Sequence, residues 1–110
     1  MDLRHLQDRV KIHSDKSKLD YSLTTPKEQE VLARTVKLNE EVGELCNDIL
    51  AVLKLQRKSK LEKFDKRNFY EEFGDVILST IQLATAAGVD IDRAVNDKLK
   101  KVEEKYAKDH

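Results

Sequence analysis

Apolar residues recur along this chain at helical rather than strand spacing. Leu3, Leu6, Val10 and His13 fall on one face of a first segment, roughly residues 3–13, before a polar stretch from Ser14 to Ser17 interrupts the pattern. A second segment opens at Thr25-Pro26-Lys27-Glu28: a threonine N-cap, proline in the first helical position, and a glutamate placed to complete a capping box. Its stripe is Val31, Leu38, Val42, Leu45, Ile49 and Val52, and the spacing predicts a helix to about Gln56. A third helix is predicted from near Asn68, paired with Glu71, with Phe69, Phe73, Val76, Ile77, Thr80, Ala84 and Ala87 on one face and Gly88 as C-cap. Asp90 caps a fourth, striped by Ile91, Val95, Leu99, Val102 and Tyr106. Four amphipathic helices with short links predict an all-α four-helix bundle, one domain over residues 1–110. So thin a bundle leaves Leu32, Leu53 and Leu83 at its flanks, and self-association as a homodimer or homotetramer is expected.

Composition agrees with this reading. Charged residues make up 38% and hydrophobic residues 39%, while aromatics are 5% and glycine and proline are scarce. The 21 basic and 21 acidic residues cancel, so net charge does not argue for a nucleic-acid partner. The one cysteine, Cys46, borders the second stripe and is expected to be a small buried hydrophobe. With no cysteine pair, no leader-like start and no apolar run long enough for a membrane span, a cytoplasmic protein without membrane contact is expected.

The charges themselves are not evenly spread. Glu40-Glu41-Val42-Gly43-Glu44-Leu45 in the second helix and Glu71-Glu72-Phe73-Gly74-Asp75-Val76 in the third repeat one pattern: acid, acid, apolar, glycine, acid, apolar. Glu41 and Glu44, like Glu72 and Asp75, are like charges one turn apart, which costs about 0.2–0.5 kcal/mol per pair. Each motif also holds a helix-interior glycine, at about 1 kcal/mol relative to alanine. At about 100° per residue, Glu41 lies about 40° from Leu45, so these carboxylates border the core. If the two helices pack antiparallel, four carboxylates converge on one spot and need protons or cations to neutralise them. An all-oxygen set selects Mg²⁺, with Mn²⁺ as a substitute. Zinc and di-iron are disfavoured, because His5, His13 and His110 do not stand at ligand spacing to cysteines or glutamates.

Carboxylate-held divalent ions commonly bridge phosphate oxygens and activate water. The chain has no Walker A loop and no G-x-G-x-x-G, and Gly43, Gly74 and Gly88 cannot build a phosphate cradle. Phosphate would then be held by metal and by lysines: Lys37, one turn before Glu41, and Lys98 and Lys101 in the fourth helix.

Residues 38–45, L-N-E-E-V-G-E-L, followed by E-E-F-G-D-V at 71–76, resemble the E-x-x-E…E-x-x-D signature of the MazG-like all-α nucleoside triphosphate pyrophosphohydrolases. G-V-D-I-D-R-A-V-N-D-K-L, residues 88–99, resembles that family's third block. The resemblance covers about residues 25–106 and implies hydrolysis of an NTP or dNTP between the α and β phosphates, giving a nucleoside monophosphate and pyrophosphate. It implies Glu41, Glu44, Glu72 and Asp75 as Mg²⁺ ligands, Glu40 assisting the water nucleophile alongside Glu41, and Lys37, Asn96 and Lys98 near the substrate. The long basic gap after Glu44, and Lys101 and Lys105-Tyr106 where many relatives carry arginine, depart from the family's pattern.

Two other functions fit the residues. One is a non-catalytic helical interaction module, whose acids serve salt bridges. The other is a phosphohydrolase of the same scaffold acting on phosphoribosyl-ATP. Nucleic-acid binding through Arg57 to Arg67 is not expected, since Phe64 is the sole interleaved aromatic and the nearby acids repel phosphate.

Overall fold

A computed structural model describes residues 2–17, 25–62 and 65–109 of the chain. Its elements are α1 (Leu3–Lys16), α2 (Pro26–Val52), α3 (Lys58–Glu62), α4 (Lys66–Ala86) and α5 (Ile91–Asp109), and no strand occurs among the described residues. The all-α class follows directly from the helical spacing of the apolar positions.

Three of the expected caps are formed, whereas Asn68 lies inside α4 and does not cap it. Thr25 and Glu28 make the reciprocal capping box, with the Glu28 N–H donating to Thr25 Oγ1 at 3.1 Å and the Thr25 N–H donating to Glu28 Oε1 at 3.3 Å. Asp90 Oδ1 accepts from the Arg93 N–H at 3.1 Å and starts α5. Gly88, at φ +75°, ends α4 in a Schellman motif: the Val89 N–H donates to the Ala84 carbonyl at 2.8 Å and the Gly88 N–H to that of Thr85 at 3.2 Å.

Other boundaries differ from the sequence expectation. The first helix runs through Ser14 to Lys16, because serine and aspartate exposed on a helix do not break it, and Ser17 closes it by donating from Oγ to the His13 carbonyl. The second ends at Val52 rather than Gln56. Lys54 takes φ +57°, and the Leu55 N–H returns to the Leu50 carbonyl at 2.8 Å, a Schellman end without its usual glycine. The basic segment holds the short helix α3, which was not expected, and α4 begins at Lys66, ahead of Asn68. Lys63, Phe64 and His110 lie outside the described residues.

The chain packs around one pair of helices, α2 against α4, with α5 meeting α4 more lightly. The least exposed positions of α2 are Val31, Arg34, Leu38, Glu41, Leu45, Asp48 and Ala51; those of α4 are Phe69, Glu72, Val76, Ser79, Thr80, Leu83, Ala84 and Ala86. The α2 set advances by three and four residues, and the α4 set follows the same spacing with a wider face toward its C-terminal end, the seam of a two-stranded helical hairpin. This seam divides the expected α4 stripe. Phe69 and Val76 enter it, whereas Phe73 and Ile77 stay exposed on the outer side, although Phe69 and Phe73 still meet edge-on at 5.3 Å.

Outside the seam the chain covers little of its own apolar surface. Among the described residues Ala51 and Ala84 are the buried hydrophobic ones, while Leu32, Val36, Leu53, Ile77, Val95, Leu99 and the α1 residues Leu3 and Val10 are exposed. Cys46, expected to be buried, is exposed, because it lies on the side of α2 that faces away from α4. The radius of gyration is 20.5 Å, against about 13 Å for a compact domain of this length. The accessible surface is 9879 Å², against about 6,200 Å² for a compact monomer of this mass.

Gly88→Ala is expected to lower the unfolding free energy by about 1 kcal/mol. The cause is backbone conformation and not crowding, since an added Cβ would meet nothing nearer than Lys27 Nζ at 3.8 Å. Denaturant unfolding of the two proteins side by side measures the difference.

Candidate metal and nucleotide site

The two acidic motifs are carried by α2 and α4 and meet across the seam between them. Asp48 acts on Glu72 at one level, and Arg34 donates from Nη1 to Gln82 Oε1 at 3.2 Å further along, so the two helices run antiparallel. In that register Glu44 and Asp75 lie about 60° to the same side of the seam, at the positions following Gly43 and Gly74. One edge of the hairpin is therefore acidic, with Glu40 and Glu71 further round on it. The opposite edge carries Val42, Ile49 and Phe73.

Burial separates the carboxylates. Glu41 is only 8% exposed and Glu72 is half-buried, with its Oε2 sealed from solvent and without a hydrogen-bond partner. Glu44 and Asp75 are exposed. Loss of hydration is the main reason the Glu72 carboxyl is pushed up to about 7 from its ordinary 4.5. A hydrogen bond with Asp48 and the negative charges of Asp48, Glu44 and Asp75 push the same way. Two carboxylates facing each other across a seam hold no donor between them, and a proton on one supplies it.

Glu41 is neutralised differently. Lys37 Nζ lies 3.1 Å from Glu41 Oε1 and 3.7 Å from Glu40 Oε1. These bonds, Glu41 first, raise the Lys37 ammonium above its ordinary 10.5, so it stays charged. The four motif carboxylates do not converge on one point. Asp48, not Glu41, is the leading charge on Glu72, because the helix register sets Glu41 about two turns further along the seam. Asp48 lies outside both acidic motifs and was not among the expected site residues; its period of seven from Glu41 and Arg34 is the signal that places it in the seam.

Asn96 and Lys98 are exposed on α5, and Lys101 with them. The groups acting on Glu72 all belong to α2 and α4, and α5 packs only lightly on α4. The α5 stripe contacts α4 mainly at its beginning, where Ile91 and Val95 border a groove of about 450 Å³ with Ile77, Thr80 and Ile81. Another groove, about 750 Å³, lies beside Asp75 and is lined by Tyr70, Glu71, Phe73, Gly74 and Leu78.

The donor set suits a hard divalent cation: oxygen ligands throughout, an orphaned buried carboxylate oxygen, and an excess of negative charge. Among the described residues, however, no three His, Cys, Asp or Glu side chains are grouped closely enough to hold an ion. Lys37 offsets the charge of Glu41 and Glu40, and loss of hydration favours the neutral form of Glu72. Gly43 and Gly74 do not serve close packing of α2 on α4, since a Cβ at either would meet no atom within 4 Å.

The model of the MazG nucleotide pyrophosphohydrolase domain matches residues 29–108. No curated protein and no solved structure matches the chain. Among the described residues no helix is long and apolar enough to cross a membrane.

The folded-state value of Glu72 lies above its ordinary one, so the stability this group contributes is complete below about pH 4.5 and is lost as pH rises through about 7. The metal-free protein is expected to lose stability over that window, and Glu72→Gln to remove that part of the slope. Urea unfolding in a chelator at several pH values reads both.

Proposed function

Since the chain belongs to the MazG nucleotide pyrophosphohydrolase family, we propose that it hydrolyses nucleoside triphosphates, ribo or deoxy, to a monophosphate and pyrophosphate with Mg²⁺. The observation that carries this reading is the pairing of the two acidic motifs along one edge of the α2–α4 hairpin, with the Glu72 oxygen buried and unpartnered.

Glu41, Glu44, Glu72 and Asp75 would hold Mg²⁺, and Mn²⁺ in its place. The ion supplies neutralisation of phosphate charge and acidification of water. Glu72 must give up its proton to serve, and the metal's charge favours that loss. Glu40, exposed on the open edge beside Glu41, orients the attacking water and receives its proton, with Glu41 fixing the geometry. Lys37 on the same edge, with Asn96 and Lys98 from α5, neutralises the triphosphate. For α5 to contribute, it must close onto an acidic edge, its own or that of another copy.

The surface of the chain supports a homo-oligomer, a dimer or tetramer. Its accessible area exceeds that of a compact monomer by about 3,600 Å², more than the roughly 1,000–2,500 Å² that each partner buries in an obligate interface. The excess is apolar on α1, α2, α4 and α5, and the balanced charge does not oppose self-association. Light scattering of the purified protein is expected to give a multiple of 12.7 kDa.

The reaction itself is tested by incubating the protein with canonical and modified NTPs and dNTPs, with and without Mg²⁺, and separating the products. Monophosphate plus pyrophosphate is expected, lost in chelator and reduced about 100-fold or more in Glu72→Gln. Folded protein that turns over no nucleotide would overturn the proposal.

A further inference from the structure

The acidic edge carries a cation of its own. Glu41 is one of the least exposed residues of the chain, and a carboxylate so buried needs a counter-charge. Lys37 supplies it from one turn earlier on the same helix, bonded to Glu41 at 3.1 Å and within 3.7 Å of Glu40. The ammonium itself is half exposed, on a flexible stem, so it can leave without disturbing the helix.

We propose that Lys37 is the resident counter-ion of the metal-free site, that a divalent ion reaches Glu41 only by displacing it, and that the released ammonium then engages the triphosphate. This rests on the metal-dependent reading above and adds an order to it: metal first frees the lysine, and the freed lysine favours nucleotide.

The physical argument is competition for one carboxylate. A divalent ion on Glu41 repels an ammonium a few ångströms away, and an ammonium bonded to Glu41 blocks one of its oxygens and lowers its charge. The lysine thus weakens metal binding when no nucleotide is present. With nucleotide bound the sign reverses, because triphosphate attracts both cations. Lys37 keeps its charge throughout, so no proton has to move.

The test is Mn²⁺ binding, followed by the paramagnetic resonance of the free ion, for the full chain and for Lys37→Met and Lys37→Arg. Without nucleotide, Lys37→Met is expected to bind Mn²⁺ about three- to tenfold more tightly, and Lys37→Arg to stay near the parent. With a non-hydrolysable triphosphate analogue present, Lys37→Met is expected to bind that analogue more weakly than the parent. Equal or weaker Mn²⁺ binding by Lys37→Met overturns this inference alone, as does equal tightening by Lys37→Arg. Failure of all three proteins to bind Mn²⁺ overturns the metal site itself.

Discussion

Everything distinctive in this molecule depends on placing carboxylates in the seam between two helices. Leu38 and Leu45 on α2, with Phe69, Val76 and Leu83 on α4, make that seam an ordinary apolar one. Glu41, Asp48 and Glu72 stand in the same rows. Burial of a charge without compensation is among the costliest arrangements a small protein can hold. The molecule compensates with an ammonium on Glu41, while loss of hydration pushes the Glu72 carboxyl up to about 7, toward its neutral form.

The hairpin that carries the seam has two unlike edges. The acidic edge gathers Glu40, Glu44, Glu71 and Asp75, whereas Val42, Ile49 and Phe73 line the other. A protein with so little buried apolar surface of its own has few ways to hold this arrangement rigid. In the proposed assembly the apolar surfaces are covered by other copies while the acidic edge stays open to ligand. Stability and chemistry then occupy different sides of the same two helices, and a change on one side need not damage the other. The bundle expected from four amphipathic stripes is completed, in this reading, between chains.

Comparison of expectation with structure shows where local rules suffice. The Thr25–Glu28 capping box, the Asp90 cap and the Gly88 turn were readable because each depends on residues within a few positions of one another. The end of α2 was not, because Lys54 adopts a left-handed conformation that lysine has no intrinsic preference for, and α3 was missed within a segment read only for its charge. The exposure of Cys46 and the splitting of the α4 stripe were also missed. Helical spacing gives an angle around one axis, but not which of two apolar faces the neighbouring helix covers.

The same distinction holds for the site. Sequence alone determined that two acid–glycine motifs lie on two helices, at the border of apolar stripes, since periodicity is a property of the backbone. It also determined the oxygen-only character of the donors. Only the tertiary structure decided the register, which sets Asp48 against Glu72, whereas Lys37 and Glu41, one turn apart on α2, are paired by local spacing. The tertiary structure likewise left α5 only lightly packed on α4. Spacing along a helix is local and additive, whereas the meeting of two helices is set by their whole shared surface, and no short stretch of residues encodes it.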